Sequence, residues 1–244
     1  MKLSSLFRSS PEDQIRKARK RVKEPHGDPA TRMNAAAKLL EMGTPEALRA
    51  LLDRFTITVS PSIQDEEEKK EVVSWIIHAR EKAVPALMAF LKEERELYWP
   101  AKALRQILPA EPYAEKIADI LQHHWDNPPA SYDPTAQLIR LLGGVTTPRL
   151  VSTVSLFLQE ESSDDLRLAA VDFLFEQAEE ASREPVLQCY LDSEDRPRVR
   201  GHILDCLAQK GWNVKGFRAK IEETLPEGYQ MSREGRVKKI GRDR

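Results

Sequence analysis

The sequence predicts an all-α chain built from repeated helical hairpins, an α-α solenoid. Three observations predict it: capping residues followed by proline, apolar residues at helical spacing behind them, and a repeat of about 34 residues.

The starts come first. Ser10-Pro11, Asp28-Pro29, Thr44-Pro45, Asp133-Pro134 and Thr147-Pro148 each place a side-chain acceptor ahead of a proline. Proline at the first helical position loses no hydrogen bond, and the residue before it can accept one from the exposed amides. Behind these starts the chain reads as about thirteen helices of roughly 10–16 residues. Leu48, Leu51, Leu52 and Phe55 form one apolar stripe; Val84, Leu87, Met88 and Leu91 form another; Leu150, Val154, Phe157 and Leu158 a third. A basic segment, residues 14–22, carries Ile15, Ala18 and Val22 on one side and is expected to cap the N-terminal end. One stretch breaks the rhythm. In residues 56–63 the β-branched Ile57, Val59 and Ile63 alternate with polar residues, which suits an extended insertion.

The repeat lies in the second helix of each hairpin. Three, four and seven positions after an anchor the residues are apolar: Ala35, Ala36, Leu39; Trp75, Ile76, Ala79; Ala103, Leu104, Ile107; Leu138, Ile139, Leu142; Ala170, Val171, Leu174; and Ile203, Leu204, Leu207. A period of this length signals stacked supersecondary units. Three segments follow: a basic N-terminal cap at 1–27, a solenoid at 28–225, and a basic, flexible tail at 226–244. Within the tail, Ser232-Arg233-Glu234-Gly235 could make a hairpin turn.

Composition bounds the class. With 244 residues, 41% apolar and 32% charged, the chain can bury a core yet is too charged for a membrane protein. Its longest charge-free apolar-rich run, residues 150–159, is half the ~20 residues a span needs. The first residues show no apolar segment with a cleavage site, so export is not expected. Two cysteines, Cys189 and Cys206, fit a reducing cytoplasm and read as buried thiols. Net charge is −1 overall, but residues 1–25 carry +5, residues 196–244 carry +7 and the body between them −13. An acidic body argues against a nucleic-acid binder.

The second helices resemble HEAT repeats. Residues 32–43, with their leading Arg32, alanine run and closing Gly43, are similar to the second helix of that family, as are the stretches around Arg167 and Arg200. The resemblance covers residues 28–225 and implies a right-handed superhelix of about six HEAT-like hairpins. In the family the arginine pairs with an acidic residue of a neighbouring repeat, which points here to Asp28, Asp165 and Asp195 in the preceding loops. The anchor is Val72, Pro100 and Thr135 in the other copies, so that ladder is expected to break mid-chain. The wording of residues 56–63 and of Leu225-Pro226-Glu227-Gly228-Tyr229 is also similar to a group of bacterial HEAT-repeat proteins of unassigned function.

The family mostly serves as protein-binding scaffold, and its second helices line a concave face. The expected partner-binding residues there are Lys102, Arg105, Gln137, Arg140, Asp172, Glu176, His202 and Asp205, a positive patch leading into a negative one. The insertion, with Ile57, Val59 and Ile63, reads as a further binding loop, as a strap over exposed core or as a mobile loop. No catalytic set, phosphate loop or cofactor motif is recognised. Metal ligands are not expected: His123-His124 point to different faces, and His26, His78 and His202 have no companions at ligand spacing. The leading reading is a non-enzymatic adaptor for another, unidentified protein. An alternative is a HEAT-like DNA glycosylase, with Trp99 or Trp125 facing the base, Trp75 buried, and Asp172 or Asp205 as the acid. A bilin-lyase-like chaperone is a third option, from the alanine-rich second helix.

Overall fold

The computed structural model describes residues 10–159 and 162–240. Residues 1–9 of the expected cap and 241–244 of the expected tail lie outside the described residues. Thirteen α-helices and one two-stranded sheet form among the described residues, so the chain is predominantly helical. Contacts divide it into two compact units, Met1–Tyr113 and Ala114–Arg244.

The first unit holds α1 (Pro11–Val22), α2 (Pro29–Met42), α3 (Pro45–Leu52), α4 (Ser62–Ala79), α5 (Val84–Glu93) and α6 (Tyr98–Ile107). Helices α1, α3 and α5 lie side by side in one layer, and α2, α4 and α6 in another. Capping follows the sequence closely. Ser10, Asp28 and Thr44 each accept a hydrogen bond from the amide three residues on, with proline at the first helical position. Gly43 ends α2 at φ 62°, a left-handed conformation that a side chain would strain.

The second unit begins within α7 (Ala110–Asp126) and holds α8 (Asp133–Arg140), α9 (Pro148–Ser155), α10 (Asp164–Phe175), α11 (Glu179–Leu191), α12 (Pro197–Lys210) and α13 (Arg218–Glu223). It closes with the antiparallel strands β1 (Tyr229–Met231) and β2 (Val237–Lys239). Helices α8, α10 and α12 form a row that β2 continues, and α9 packs on α11 behind it. Thr147 caps α9 as expected. Asp133 does not cap α8: it lies inside the helix, and its amide donates to Ser131 Oγ at 3.2 Å.

The apolar triads form the core. Ala35, Ala36, Leu39, Leu138, Ile139, Leu142, Ala170, Val171, Leu174, Ile203, Leu204 and Leu207 are all buried. In α4 and α6 the pattern loosens, and Trp75, Ala79 and Ile107 are half-buried. Trp75 therefore sits nearer the surface than its register implies.

Several lateral polar links share one separation, beside others that join residues 26, 30, 32 and 36 apart. Tyr190–Thr224, Arg196–Ser162, Lys210–Glu176, Asn213–Glu179, Arg149–Glu115 and Lys239–Asp205 each join residues 34 positions apart in the second unit. In the first, Arg19 and Asp53 do the same.

The anchor arginines take partners other than Asp28, Asp165 and Asp195. Arg32 is buried and reaches forward to Glu68, 2.7 and 2.8 Å away, because Asp28 is already engaged as the cap of α2. Arg167 donates to Ser193 Oγ at 3.0 Å, and Arg200 to the Tyr190 hydroxyl at 3.0 Å. Asp165 instead pairs with Arg198 at 2.9 Å.

Residues 229–239, within the stretch expected to be a flexible tail, form the hairpin. Ser232 and Arg236 close its turn, Val237 is buried, and Asn213 bridges to Arg236.

Candidate functional site

Each unit contributes its own part of the expected binding set. In the first, Lys102 and Arg105 lie exposed on α6, one turn apart. The Lys102 ammonium stands 5.5 Å from the Trp99 ring centre and 5.8 Å from that of Tyr98, a cation held over two aromatic faces.

The insertion lies in the same unit and is anchored rather than loose. Arg54, buried, donates to Asp65 Oδ1 and Glu68 Oε2, both at 2.8 Å, and also reaches the Ile57 carbonyl at 3.3 Å. The Val59 amide donates to Asp65 Oδ1 at 3.1 Å. Val59 is buried, Ile57 half-buried, and Ile63, in the first turn of α4, has 71% of its surface exposed. The segment is thus pinned over the core by one arginine. Burial would raise the carboxyls of Asp65 and Glu68; donation from Lys69 and Arg54 to the first, and from Arg32 and Arg54 to the second, outweighs it and holds both below their ordinary values.

The second unit brings the remaining residues to one face of the α8–α10–α12 row. Gln137 is half-buried on α8, and Arg140 ends that helix exposed, donating to the Asp165 carbonyl at 3.2 Å. Asp172 and Glu176, one turn apart, are exposed on α10 and just beyond its end. Between α8 and α10 lies an open cleft of about 270 Å³. Ile139, Ala169 and Phe173 floor it, Gly143 and Gly144 edge it, and Arg140 faces Asp172 and Glu176 across it. Helical spacing creates this on α10: Ala169, Asp172, Phe173 and Glu176 follow at i, i+3, i+4 and i+7, so apolar and charged side chains share one face.

The expected negative patch is not a field of free charge. Glu176 accepts from Lys210 at 2.8 Å, and Asp205 accepts from Lys239 at 2.6 Å and from the Tyr229 hydroxyl at 2.7 Å. Lys239 foremost, then Tyr229, holds the Asp205 carboxyl below its usual range. Sequence reasoning missed Tyr229 and Lys239, because the tail was expected to be flexible, and Lys210, because its pairing with Glu176 spans two helices.

Asp172 meets α12. Its Oδ1 lies 2.5 Å from His202 Nε2, and Cys206 Sγ lies 3.7 Å from that same nitrogen. The three donor atoms all fall within 4.8 Å of one another, and among the described residues this is the group arranged to hold a metal ion. The expectation that His202 has no companion at ligand spacing is therefore corrected: Cys206 is four residues on, one helical turn along the same face. Cys206 is also half-buried rather than buried, whereas Cys189 is buried, and both are free thiols. Burial, then the carboxylates of Asp172 and Asp205, push the Cys206 thiol up to about 11.

This constellation is not a nucleophile–base–acid relay. A relay runs through both imidazole nitrogens, with the carboxylate on one and the nucleophile on the other. Here the carboxylate and the thiol meet the same nitrogen.

No protein-family model matches the chain, and neither the curated proteins nor the solved structures searched contain a significant match. No described helix is long and apolar enough to cross a membrane.

Proposed function

We propose that the chain is a non-enzymatic helical-repeat scaffold, a right-handed HEAT-like solenoid, that holds a segment of another protein on its second-helix face. The α8–α10 cleft carries this reading: an apolar floor runs between a cation, Arg140, and two carboxylates, Asp172 and Glu176. Opposite charges at the two edges of an apolar strip favour one orientation of a bound chain. The occupant is an extended segment with an acidic side chain at Arg140, an apolar one over Phe173 and a basic one that shares Glu176 with Lys210. The 34-residue separation shared by several lateral links supports the repeat architecture, because stacked units bring equivalent positions side by side. A cytoplasmic location goes with the two free thiols.

The nucleic-acid reading has less behind it. Its candidate acids, Asp172 and Asp205, are engaged by His202 and by Lys239 with Tyr229. Trp125 packs edge-on against Phe157 with ring centres 5.6 Å apart.

A photo-crosslinking side chain at Gln177, which lines the cleft, tests the scaffold reading against one at Gln188, exposed on α11 in the layer behind. Crosslinking in cells of origin should yield a defined partner peptide from Gln177 alone, lost on Arg140→Glu. Equal yields at both positions, or no response to Arg140→Glu, would overturn it.

A further inference from the structure

We infer that Asp172, His202 and Cys206 form a binding site for a zinc-class divalent cation, bridging α10 and α12. The argument rests on convergence. Oδ1, Nε2 and Sγ come from two neighbouring helices and point at a common space, each within 4.8 Å of the others. A tetrahedral zinc ion with bonds of about 2.0–2.3 Å sets its donors roughly 3.3–3.8 Å apart. The Sγ–Nε2 separation of 3.7 Å already has that value. Oδ1, at 2.5 Å from Nε2, must retreat by a little under ~1 Å as the ion replaces the shared proton, and the exposed Asp172 side chain has room to rotate.

The donor set selects the metal. One thiolate, one imidazole and one carboxylate suit a borderline-soft ion, whereas magnesium and calcium take oxygen alone. Three protein ligands leave a fourth position for water. Lys210 and Lys239 do not compete for the site, being paired with Glu176 and Asp205. On binding, the Cys206 S–H bond breaks, its electron pair forms the metal–sulfur bond, and that proton leaves to solvent; the proton held between His202 Nε2 and Asp172 Oδ1 leaves Nε2 and is replaced, through solvent, by one on Nδ1. His202 binds through Nε2 as the neutral imidazole, with its own proton on Nδ1.

The site needs no partner protein, so its test is separate from that of the scaffold reading. Titrating the purified full chain with Co²⁺ should produce a near-ultraviolet sulfur-to-metal charge-transfer band that saturates at one ion per chain and is displaced by Zn²⁺. Cys206→Ser should abolish the band, and Cys189→Ser should keep it. Asp172→Asn changes an exposed side chain and should weaken Zn²⁺ binding, read by calorimetry, by more than the ~10–100-fold that loss of an outer partner costs. A wild-type chain without the band at excess Co²⁺, a band surviving in Cys206→Ser, or an unchanged Zn²⁺ affinity in Asp172→Asn would each overturn the site.

Discussion

Glu176, just past the end of α10, and Lys210, the last residue of α12, form an ion pair of 2.8 Å across 34 residues of sequence. The Glu176 side chain is largely in water, at 66% exposure, and that of Lys210 is partly so, at 35%. The pair marks register more than it adds strength. An exposed pair contributes about 0–1 kcal/mol, whereas removing a buried leucine costs ~2–5 kcal/mol. Lys210→Ala should therefore shift the urea midpoint little, while Leu174→Ala, in the same unit, should lower it by the larger amount.

The buried group of Arg32, Arg54, Asp65 and Glu68 behaves differently. Glu68→Ala leaves two buried guanidinium groups without their shared carboxylate and should cost ~3–5 kcal/mol in denaturant unfolding. Because both carboxyls are held below their ordinary values in the folded chain, their contribution is fully present above the unfolded values near 4. It is lost as pH falls through the lower folded values. Acid unfolding curves of wild type and Glu68→Ala should converge below that window.

Tyr113 has a buried hydroxyl with no hydrogen-bond partner. Tyr113→Phe should be neutral or stabilising by ~1 kcal/mol, since an unsatisfied polar group is removed. Burial pushes the phenol up to about 12. The unfolded chain thus ionises first, and this residue's contribution falls as pH rises above ~10, completing near the folded value. Thermal melts between neutral and alkaline pH should show a shallower decline for Tyr113→Phe.

The hairpin is part of the folded body. Val237 is buried in β2, beside α12. Val237→Asp should cost about 3 kcal/mol or more by burying an unpaired charge. Amide exchange in α12 should rise with it, and exchange in α9 should not.

The core was legible because its signal is dense: Ala170, Val171 and Leu174 repeat a pattern found in each second helix. The partners of the arginines were not, because Asp28 can either cap α2 or pair with Arg32, and only the geometry decides between them. The metal-binding group needed the register as well as the residues. Aligning Arg167 with Arg200 places Asp205 opposite Asp172, but several lateral links run at 34, one residue further, which reaches Cys206. Cys206 follows His202 by one helical turn in the sequence, but the third donor, Asp172, lies 30 residues back on the neighbouring helix, where only the packing brings it close. The tail hid its strands because three-residue strands with lysine at two of their positions carry almost no periodic signal.

The hairpin also bears on solubility. Helices satisfy their own backbone groups, but an edge strand leaves a row of amides and carbonyls unpaired, a template on which a second chain can extend the sheet; here Asn213 and Val214 already pair with part of the Gly235–Arg236 stretch. Arg233, Arg236, Lys238 and Lys239 crowd this short ribbon with positive charge. Two such ribbons approaching edge to edge would bring like charges together. The basic character of this stretch therefore opposes edge-to-edge pairing of two copies.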